Sequence, residues 1–217
     1  MKKVFRLLMA AILVVAGLLT TNISFAAENP EQAIQEYTKA IESNPKDADS
    51  YINRGNAYSS LGQHDKALAD YDKGIELAPN IPESYYNRGN TYVNLKQYER
   101  AIQDYDKAIE LNPNFSQAYG NRGYTYMQLD QFERSIQDFD KALSINQNDF
   151  LAYFNRGTAY ANLQQLEPAI QDFSKAIELE PNFAGTYQVR GLCYQALGDN
   201  EKAQADFAKA KELGYKE

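Results

Sequence analysis

A five-residue phrase recurs at one fixed spacing along most of the chain. In four copies it reads Tyr, any residue, Asn, Arg, Gly, and in the fifth copy valine replaces the asparagine. The copies begin at Tyr51, Tyr85, Tyr119, Tyr153 and Tyr187, so the step is 34 residues each time, with no insertion. Strict self-similarity at this period predicts a solenoid of two-helix units, each burying its apolar face against its neighbours.

The period divides the chain into a half-repeat and five full units. Asn29 and Pro30 predict the start of a first helix over about 31–43, whose apolar residues follow the rhythm of an amphipathic helix. This helix aligns with the second helix of a unit, so we assign residues 27–47 to a half-repeat. The full units are residues 48–81, 82–115, 116–149, 150–183 and 184–217.

A glycine and a bulky ring recur in every unit, at positions that predict contact between its two helices. The glycines fall in the middle of the first helix, where glycine costs about 1 kcal/mol relative to alanine. That cost is tolerable if the missing side chain makes room for a ring from the second helix. The predicted pairs are Gly55 with Tyr71, Gly89 with Tyr105, Gly123 with Phe139, Gly157 with Phe173 and Gly191 with Phe207.

An arginine and an aspartate also recur in step, sixteen residues apart. The arginines are Arg54, Arg88, Arg122, Arg156 and Arg190, and the aspartates are Asp70, Asp104, Asp138, Asp172 and Asp206. We interpret them as a structural pair between the two helices of a unit, with bidentate geometry available to the guanidinium. The alternative is that the aspartate belongs to a solvated face and the arginine lines a binding groove.

Two apolar columns in the second helices end at the last unit. In that unit Gln204 and Lys211 replace the leucines and isoleucines of the earlier units. We interpret both columns as facing the next repeat, with the last unit acting as a polar terminal cap.

These columns resemble the tetratricopeptide repeat. The resemblance rests on Tyr51, Gly55, Tyr58, Ala67, Tyr71, Gly74 and Pro79 and on their echoes 34 residues apart. It covers residues 48–217 and the half-repeat, with tyrosine where the family usually has tryptophan and arginine where it often has leucine. It implies an all-α fold, a right-handed α-solenoid of antiparallel helix pairs, whose concave wall is formed by the first helices and binds peptides or partner proteins.

One asparagine column is similar to the asparagine ladder of some superhelical members of this family, in which that column contacts bound chains. The column consists of Asn53, Asn87, Asn121 and Asn155. An amide side chain offers both donors and acceptors, so the resemblance implies contacts to the backbone of a partner peptide. The alternative is that these amides cap local backbone or face water.

Further candidates for peptide binding lie in the same first helices. They are Asn56, Asn90, Tyr86, Tyr124 and Phe154, with ordinary core or surface positions as the alternative. The family's clamp for chaperone carboxylates needs basic residues in its first and third units, where this chain has Ile52, Gln117 and Asn121. Only Asn56 and Asn87 match that clamp, so chaperone-tail binding is not expected.

The first 26 residues have the pattern of a secretory signal. A basic start is followed by an uncharged apolar run over 7–19, and Ser24-Phe25-Ala26 supplies the small residues of a cleavage site. The run is shorter than the roughly 20 residues that span a bilayer, which favours cleavage after Ala26 over an uncleaved membrane anchor. We therefore expect an exported protein, periplasmic or secreted.

Charge and composition argue against nucleic acid, catalysis and cofactors. The leader carries three of the 22 basic residues, which leaves 19 against 29 acidic residues in the remainder. Such a surface repels nucleic acid and anionic lipid. The single histidine, His64, and the single cysteine, Cys193, form no metal-ligand spacing or nucleophile–base pair, and Cys193 falls in a helical apolar pattern. We expect no enzyme, no cofactor and no metal.

The sequence thus predicts a monomeric, non-catalytic scaffold that binds a protein or peptide in the concave groove. One alternative is a structural or assembly adaptor of the cell envelope that acts through its convex face or N-terminal edge. Another is an accessory to an envelope enzyme or a glycan-handling machine.

Overall fold

The computed structural model describes residues 29–215, a range that contains eleven α-helices and no strand. The predicted signal segment, residues 1–26, lies outside the described residues. The helices are α1 (Pro30–Ser43), α2 (Ala48–Ser60), α3 (His64–Leu77), α4 (Pro82–Asn94), α5 (Tyr98–Leu111), α6 (Ser116–Gln128), α7 (Phe132–Ile145), α8 (Phe150–Asn162), α9 (Leu166–Leu179), α10 (Ala184–Leu197) and α11 (Asn200–Glu212). The prediction of an all-α protein built from helix pairs is confirmed.

The chain forms two compact units, divided within α6. The N-terminal unit is described from Asn29 to Thr125 and the C-terminal unit from Tyr126 to Tyr215. In each unit, helices that follow one another in sequence pack together, and in the N-terminal unit α2 also contacts α4. Each unit is therefore a stretch of solenoid in which a helix pair packs on the next pair.

The first helix of each 34-residue repeat approaches the second closely because its central glycine has no side chain. A Cβ atom built on Gly89 would lie 2.8 Å from Cε1 of Tyr105, a ring that is 1% exposed. The corresponding distances are 2.9, 3.0 and 2.7 Å at Gly55–Tyr71, Gly157–Phe173 and Gly191–Phe207. The predicted contact between glycine and ring is confirmed at these four pairs.

The recurring arginine joins the two helices of its repeat through a bidentate ion pair. Nε and Nη2 of Arg88 donate to the two carboxylate oxygens of Asp104 at 2.8 and 2.6 Å. The same geometry holds at Arg54–Asp70, Arg156–Asp172 and Arg190–Asp206. The structural interpretation of these four pairs is confirmed, and the alternative in which the arginine lines a groove is wrong for them.

The remaining nitrogen of each arginine reaches the second helix of the preceding repeat. Nη1 of Arg88 donates to Asp72 at 2.5 Å, and Nη1 of Arg54 donates to the hydroxyl of Thr38 at 3.1 Å. Further pairs of this kind are Arg122–Asp106, Arg156–Asp140 and Arg190–Ser174. This third hydrogen bond, which was not predicted from the sequence, connects one repeat to the next.

The apolar columns of the second helices face the next repeat, as the sequence predicted, at the positions whose contacts are described. Ile75 packs in the cluster that contains Tyr85 of the next repeat, and Ile170 packs in the cluster that contains Val189 and Cys193. Gln204 and Lys211, which interrupt these columns in the last repeat, are both exposed. The outer side of α11 is therefore polar at these two positions, as a terminal repeat requires.

Two glycine replacements test the close helix contact. Gly89→Ala places a methyl group against the buried ring of Tyr105, so we expect the free energy of unfolding to fall by about 1–3 kcal/mol. Gly120→Ala is the matched control, because a Cβ on Gly120 in α6 meets nothing within 4 Å. We expect that change to stabilise the protein by roughly 0.5–1 kcal/mol through helix propensity. Urea unfolding of both variants measures the difference, and equal effects would contradict the packing argument.

The ion pair between Arg88 and Asp104 is also testable. Asp104→Ala leaves the half-buried guanidinium without its bidentate partner, so we expect a loss of about 2–4 kcal/mol in the free energy of unfolding. Glu110→Ala breaks the exposed pair with Lys107 and should leave the free energy of unfolding almost unchanged, because water screens an exposed pair. Chemical denaturation of the two variants provides the comparison, and an Asp104 variant as stable as the Glu110 variant would refute a structural role for the pair.

Candidate functional site: the amide face of the N-terminal unit

The asparagines proposed for peptide binding in the N-terminal unit lie on its first helices, α2, α4 and α6. We call the surface formed by Asn53, Asn56, Asn87, Asn90 and Asn121 the amide face. On one helix Asn87 and Asn90 are three residues apart, so their side chains project from the same side of α4. All five side chains are partly buried. The helix pairing therefore brings both asparagine columns together.

The two columns are connected by hydrogen bonds from one repeat to the next. Nδ2 of Asn87 donates to Oδ1 of Asn56 at 2.9 Å, and the hydroxyl of Tyr71 donates to the same oxygen at 2.8 Å. One repeat further along, Nδ2 of Asn121 donates to Oδ1 of Asn90 at 2.7 Å. We call Asn56–Asn87 and Asn90–Asn121 the amide pairs.

The second amide pair is held by two tyrosines. The hydroxyl of Tyr105 donates to Oδ1 of Asn90 at 2.7 Å, and Nδ2 of Asn121 donates to the hydroxyl of Tyr86 at 3.0 Å. The ring of Tyr86 lies 5.0 Å from that of Phe115 and 6.0 Å from that of Tyr105, measured between centroids. Tyr86 is thus a support for the amide face as well as part of its surface.

These contacts determine what each amide still offers to a ligand. A carbonyl oxygen accepts two hydrogen bonds and an amide nitrogen donates two. Oδ1 of Asn56 and Oδ1 of Asn90 each accept two, so these side chains can offer only N–H donors. Asn121 uses both hydrogens of Nδ2 internally, so it can offer only its oxygen. An amide pair therefore presents a donor from one column and an acceptor from the other.

Asn53 differs from the other members of its column. It is partly exposed, and its side chain makes no hydrogen bond to any residue in the described range 29–215. No residue in that range occupies its donors or its acceptor. The four asparagines of this column are equivalent in the sequence, whereas the structure distinguishes Asn53, which has no side-chain hydrogen bond within residues 29–215, from Asn87 and Asn121, which bond to neighbouring repeats.

The tyrosines that support the amide pairs keep their protons. Burial raises the pKa of the Tyr105 hydroxyl well above its ordinary value and also raises the pKa of Tyr71. Burial likewise raises the pKa of Tyr86, which hydrogen bonds partly offset. The hydroxyls of Tyr71 and Tyr105 therefore remain hydrogen-bond donors to the asparagine oxygens at neutral and moderately alkaline pH.

In the C-terminal unit the predicted binding residues are largely buried. Phe154 is 0% exposed and packs against the rings of Phe150, Phe173 and Phe183. It is a core residue, so the prediction that it offers a surface to a partner is wrong. Asn155 is 9% exposed, and its Oδ1 is buried without a hydrogen-bond partner among the described residues.

Tyr124, the remaining candidate of the sequence analysis, lies in the N-terminal unit on α6. It is partly buried, and burial raises the pKa of its hydroxyl. It occupies the position that Asn56 and Asn90 hold in the two preceding repeats. The column of donors thus ends at Asn90.

The groups that could support other chemistry are few. Cys193 is fully buried in the C-terminal unit, and burial raises the pKa of its thiol to about 12, so it carries no reactive thiolate at neutral pH. Within residues 29–215 there is no cluster of three or more histidine, cysteine, aspartate or glutamate side chains suited to a metal ion. None of the helices described is long and apolar enough to cross a membrane.

Comparison with known proteins agrees with this architecture. A profile described as tetratricopeptide repeat matches residues 48–81, 82–115, 116–149 and 150–183, and two related repeat profiles match residues 22–62 and 173–205. The search of curated proteins gave no match.

Solved structures of similar proteins include YrrB, described as a tetratricopeptide repeat protein with an unusual peptide-binding site. It is 32% identical, the match covers 82% of this chain and 92% of that one, and the TM-score is 0.71. A MamA fragment from Desulfovibrio magneticus RS-1 is 28% identical over 76% of this chain and 94% of that one, with a TM-score of 0.73. The helix pairs, the repeat profile and these structural relatives together show that the chain belongs to the tetratricopeptide repeat family.

Proposed function

We propose that the protein is a non-catalytic scaffold that binds an extended peptide or protein segment along the amide face, in a groove lined by the first helices. The observation that carries this proposal is the arrangement of the amide pairs. Each pair offers a donor and an acceptor, and a peptide group needs one of each. Hydrogen bonds of this kind recognise a backbone largely regardless of its side chains.

The relatives support a binding role of this general type. YrrB is described as having a peptide-binding site and is 32% identical to this chain. The affinity that we expect is modest, because one hydrogen bond contributes about 1 kcal/mol net. A few such contacts without other anchors give dissociation constants in the micromolar to millimolar range. The protein works in this proposal as a monomer without metal or cofactor, and its acidic character disfavours nucleic acid as a partner.

The decisive test uses Asn53, the amide that has no internal partner. Peptides are first selected from a displayed random library on the intact protein, and their binding is then measured by fluorescence anisotropy. Asn53→Ala should weaken binding by about fivefold, which is the loss of one hydrogen bond, and should leave the melting curve unchanged. Asn80→Ala, in an exposed turn outside the amide face, is the matched control and should change neither quantity.

The alternative of an assembly adaptor makes the opposite prediction. If a convex surface or the N-terminal edge were used, Asn53→Ala would not affect the binding of a partner. A double replacement of Asn87 and Asn121 would be a poorer test than Asn53→Ala. Both side chains bond to neighbouring repeats, so their removal lowers stability as well as binding.

We also propose that the chain is exported and then loses residues 1–26, which leaves a protein outside the cytoplasm that is not anchored to a membrane. The support is the basic, apolar and small-residue order of that segment. Expression of the full-length gene in a bacterial host should give a product whose intact mass corresponds to a start at Ala27. An uncleaved product recovered with the membranes would refute the proposal and favour the anchor.

A further inference from the structure

Two carboxylates stand beside the amide face, one turn before its asparagines. Asp49 lies four residues before Asn53 on α2, and Glu83 lies four residues before Asn87 on α4, so each acid shares a helix face with an asparagine. Both side chains belong to exposed residues. Neither makes an ion pair with any residue that the structure describes. We call Asp49 and Glu83 the rim carboxylates.

The only basic residues on α2 and α4 are Arg54 and Arg88. The arginines of α2 and α4 are directed towards the second helices, where Arg54 binds Asp70 and Arg88 binds Asp104 and Asp72. Apart from the rim carboxylates, the positions three and four residues from the asparagines of the amide face on α2 and α4 carry asparagine, serine, threonine, alanine, isoleucine, valine and tyrosine. The face therefore combines neutral hydrogen-bonding groups with negative charge only.

We propose that the amide face binds a basic peptide segment, with lysine or arginine side chains placed on the rim carboxylates. This inference rests on the proposed function, because the amide pairs and Asn53 hold the backbone while the rim carboxylates select the side chains. An acidic segment would bring negative charge beside Asp49 and Glu83 without a base to receive it. The site would then disfavour the carboxylate tails that other repeats of this family bind.

The size of the charge effect follows from the exposure of the carboxylates. An exposed ion pair contributes little to binding and is screened by salt. Removal of both rim charges should therefore weaken the binding of a basic peptide by about fivefold at low ionic strength. The attraction should fade as salt is added. The contribution of the amides is less sensitive to salt, since it does not depend on net charge.

The experiment compares three synthetic peptides of equal length, in which serine alternates with lysine, glutamine or glutamate. Binding to the full chain is measured by fluorescence anisotropy at low and at physiological salt. The lysine peptide should bind best, the glutamine peptide more weakly, and the glutamate peptide least. The double variant Asp49→Asn, Glu83→Gln should lose about fivefold in affinity for the lysine peptide and should bind the glutamine peptide as the wild type does.

A matched double variant controls for net charge. Asp65 and Glu99 are exposed acids in the first turns of the second helices α3 and α5, so Asp65→Asn, Glu99→Gln changes the total charge equally but leaves the rim intact. It should retain the affinity for the lysine peptide. An equal loss in both double variants would show a general attraction to an acidic protein and would overturn the assignment of the rim.

The remaining outcomes separate this inference from the proposed function. Equal or tighter binding of the glutamate peptide, weakened by Asn53→Ala, would overturn the selection of basic segments and leave the amide face as the binding site. Equal binding of the lysine and glutamine peptides would also overturn the selection of basic segments and leave the amide face as the binding site. If the lysine peptide binds and Asn53→Ala does not weaken it, the proposed function fails as well. Failure of every peptide to bind would overturn both.

Discussion

The solenoid depends on an arginine that binds in three directions, as seen at Arg54, Arg88, Arg156 and Arg190. Its guanidinium joins the two helices of its own repeat through an aspartate and also reaches the second helix of the preceding repeat. The flat face of the guanidinium lies over a tyrosine ring, and in the case of Arg88 and Tyr85 it is 5.7 Å from the ring centroid. A planar group with five donors suits this role better than an ammonium. Because the arginines are engaged in this way, they are withdrawn from the surface on which a ligand would bind.

The same interaction explains the character of the amide face. In many binding proteins basic residues supply affinity for an anionic partner, but here the basic residues of the first helices are used for cohesion. What remains on that surface is neutral amide chemistry bordered by the rim carboxylates, and the amides are held in register by hydrogen bonds between repeats. The structural role of the arginines and the binding role that we propose for the asparagines thus belong to two separate columns of the same helices.

The sequence predicted the architecture well, for a physical reason. A strict 34-residue period fixes which residues recur on each helix face, so the contact of Gly89 with Tyr105 and the pairing of Arg88 with Asp104 follow from position alone. The site was harder to predict, because a period does not show whether an amide is free or bonded. Asn53 and Asn87 occupy the same position in their repeats, yet Asn87 donates to Asn56 of the preceding repeat whereas Asn53 has no side-chain hydrogen bond within residues 29–215.

The error at Phe154 has a related cause. Tyr86 occupies the same position two periods earlier and is only partly buried. The 34-residue pattern does not distinguish the two positions. Phe173 and Phe183 pack on Phe154 as Tyr105 and Phe115 pack on Tyr86, but Phe150 adds a third ring where the earlier repeat has Pro82. The recurring frame therefore positions a side chain, while residues that do not recur decide whether it is covered.

The hydrogen bonds that join Asn90 and Asn121 also give the amide face a sense of direction. If Asn121 were to exchange its oxygen and nitrogen, Asn90 would have to rotate at the same time, and the hydroxyls of Tyr86 and Tyr105 would have to reorient with them. Such a change is concerted rather than local. A polypeptide laid along the face and the same polypeptide reversed are consequently not equivalent ligands, because the order in which the surface offers donors and acceptors is built into the contact between neighbouring repeats.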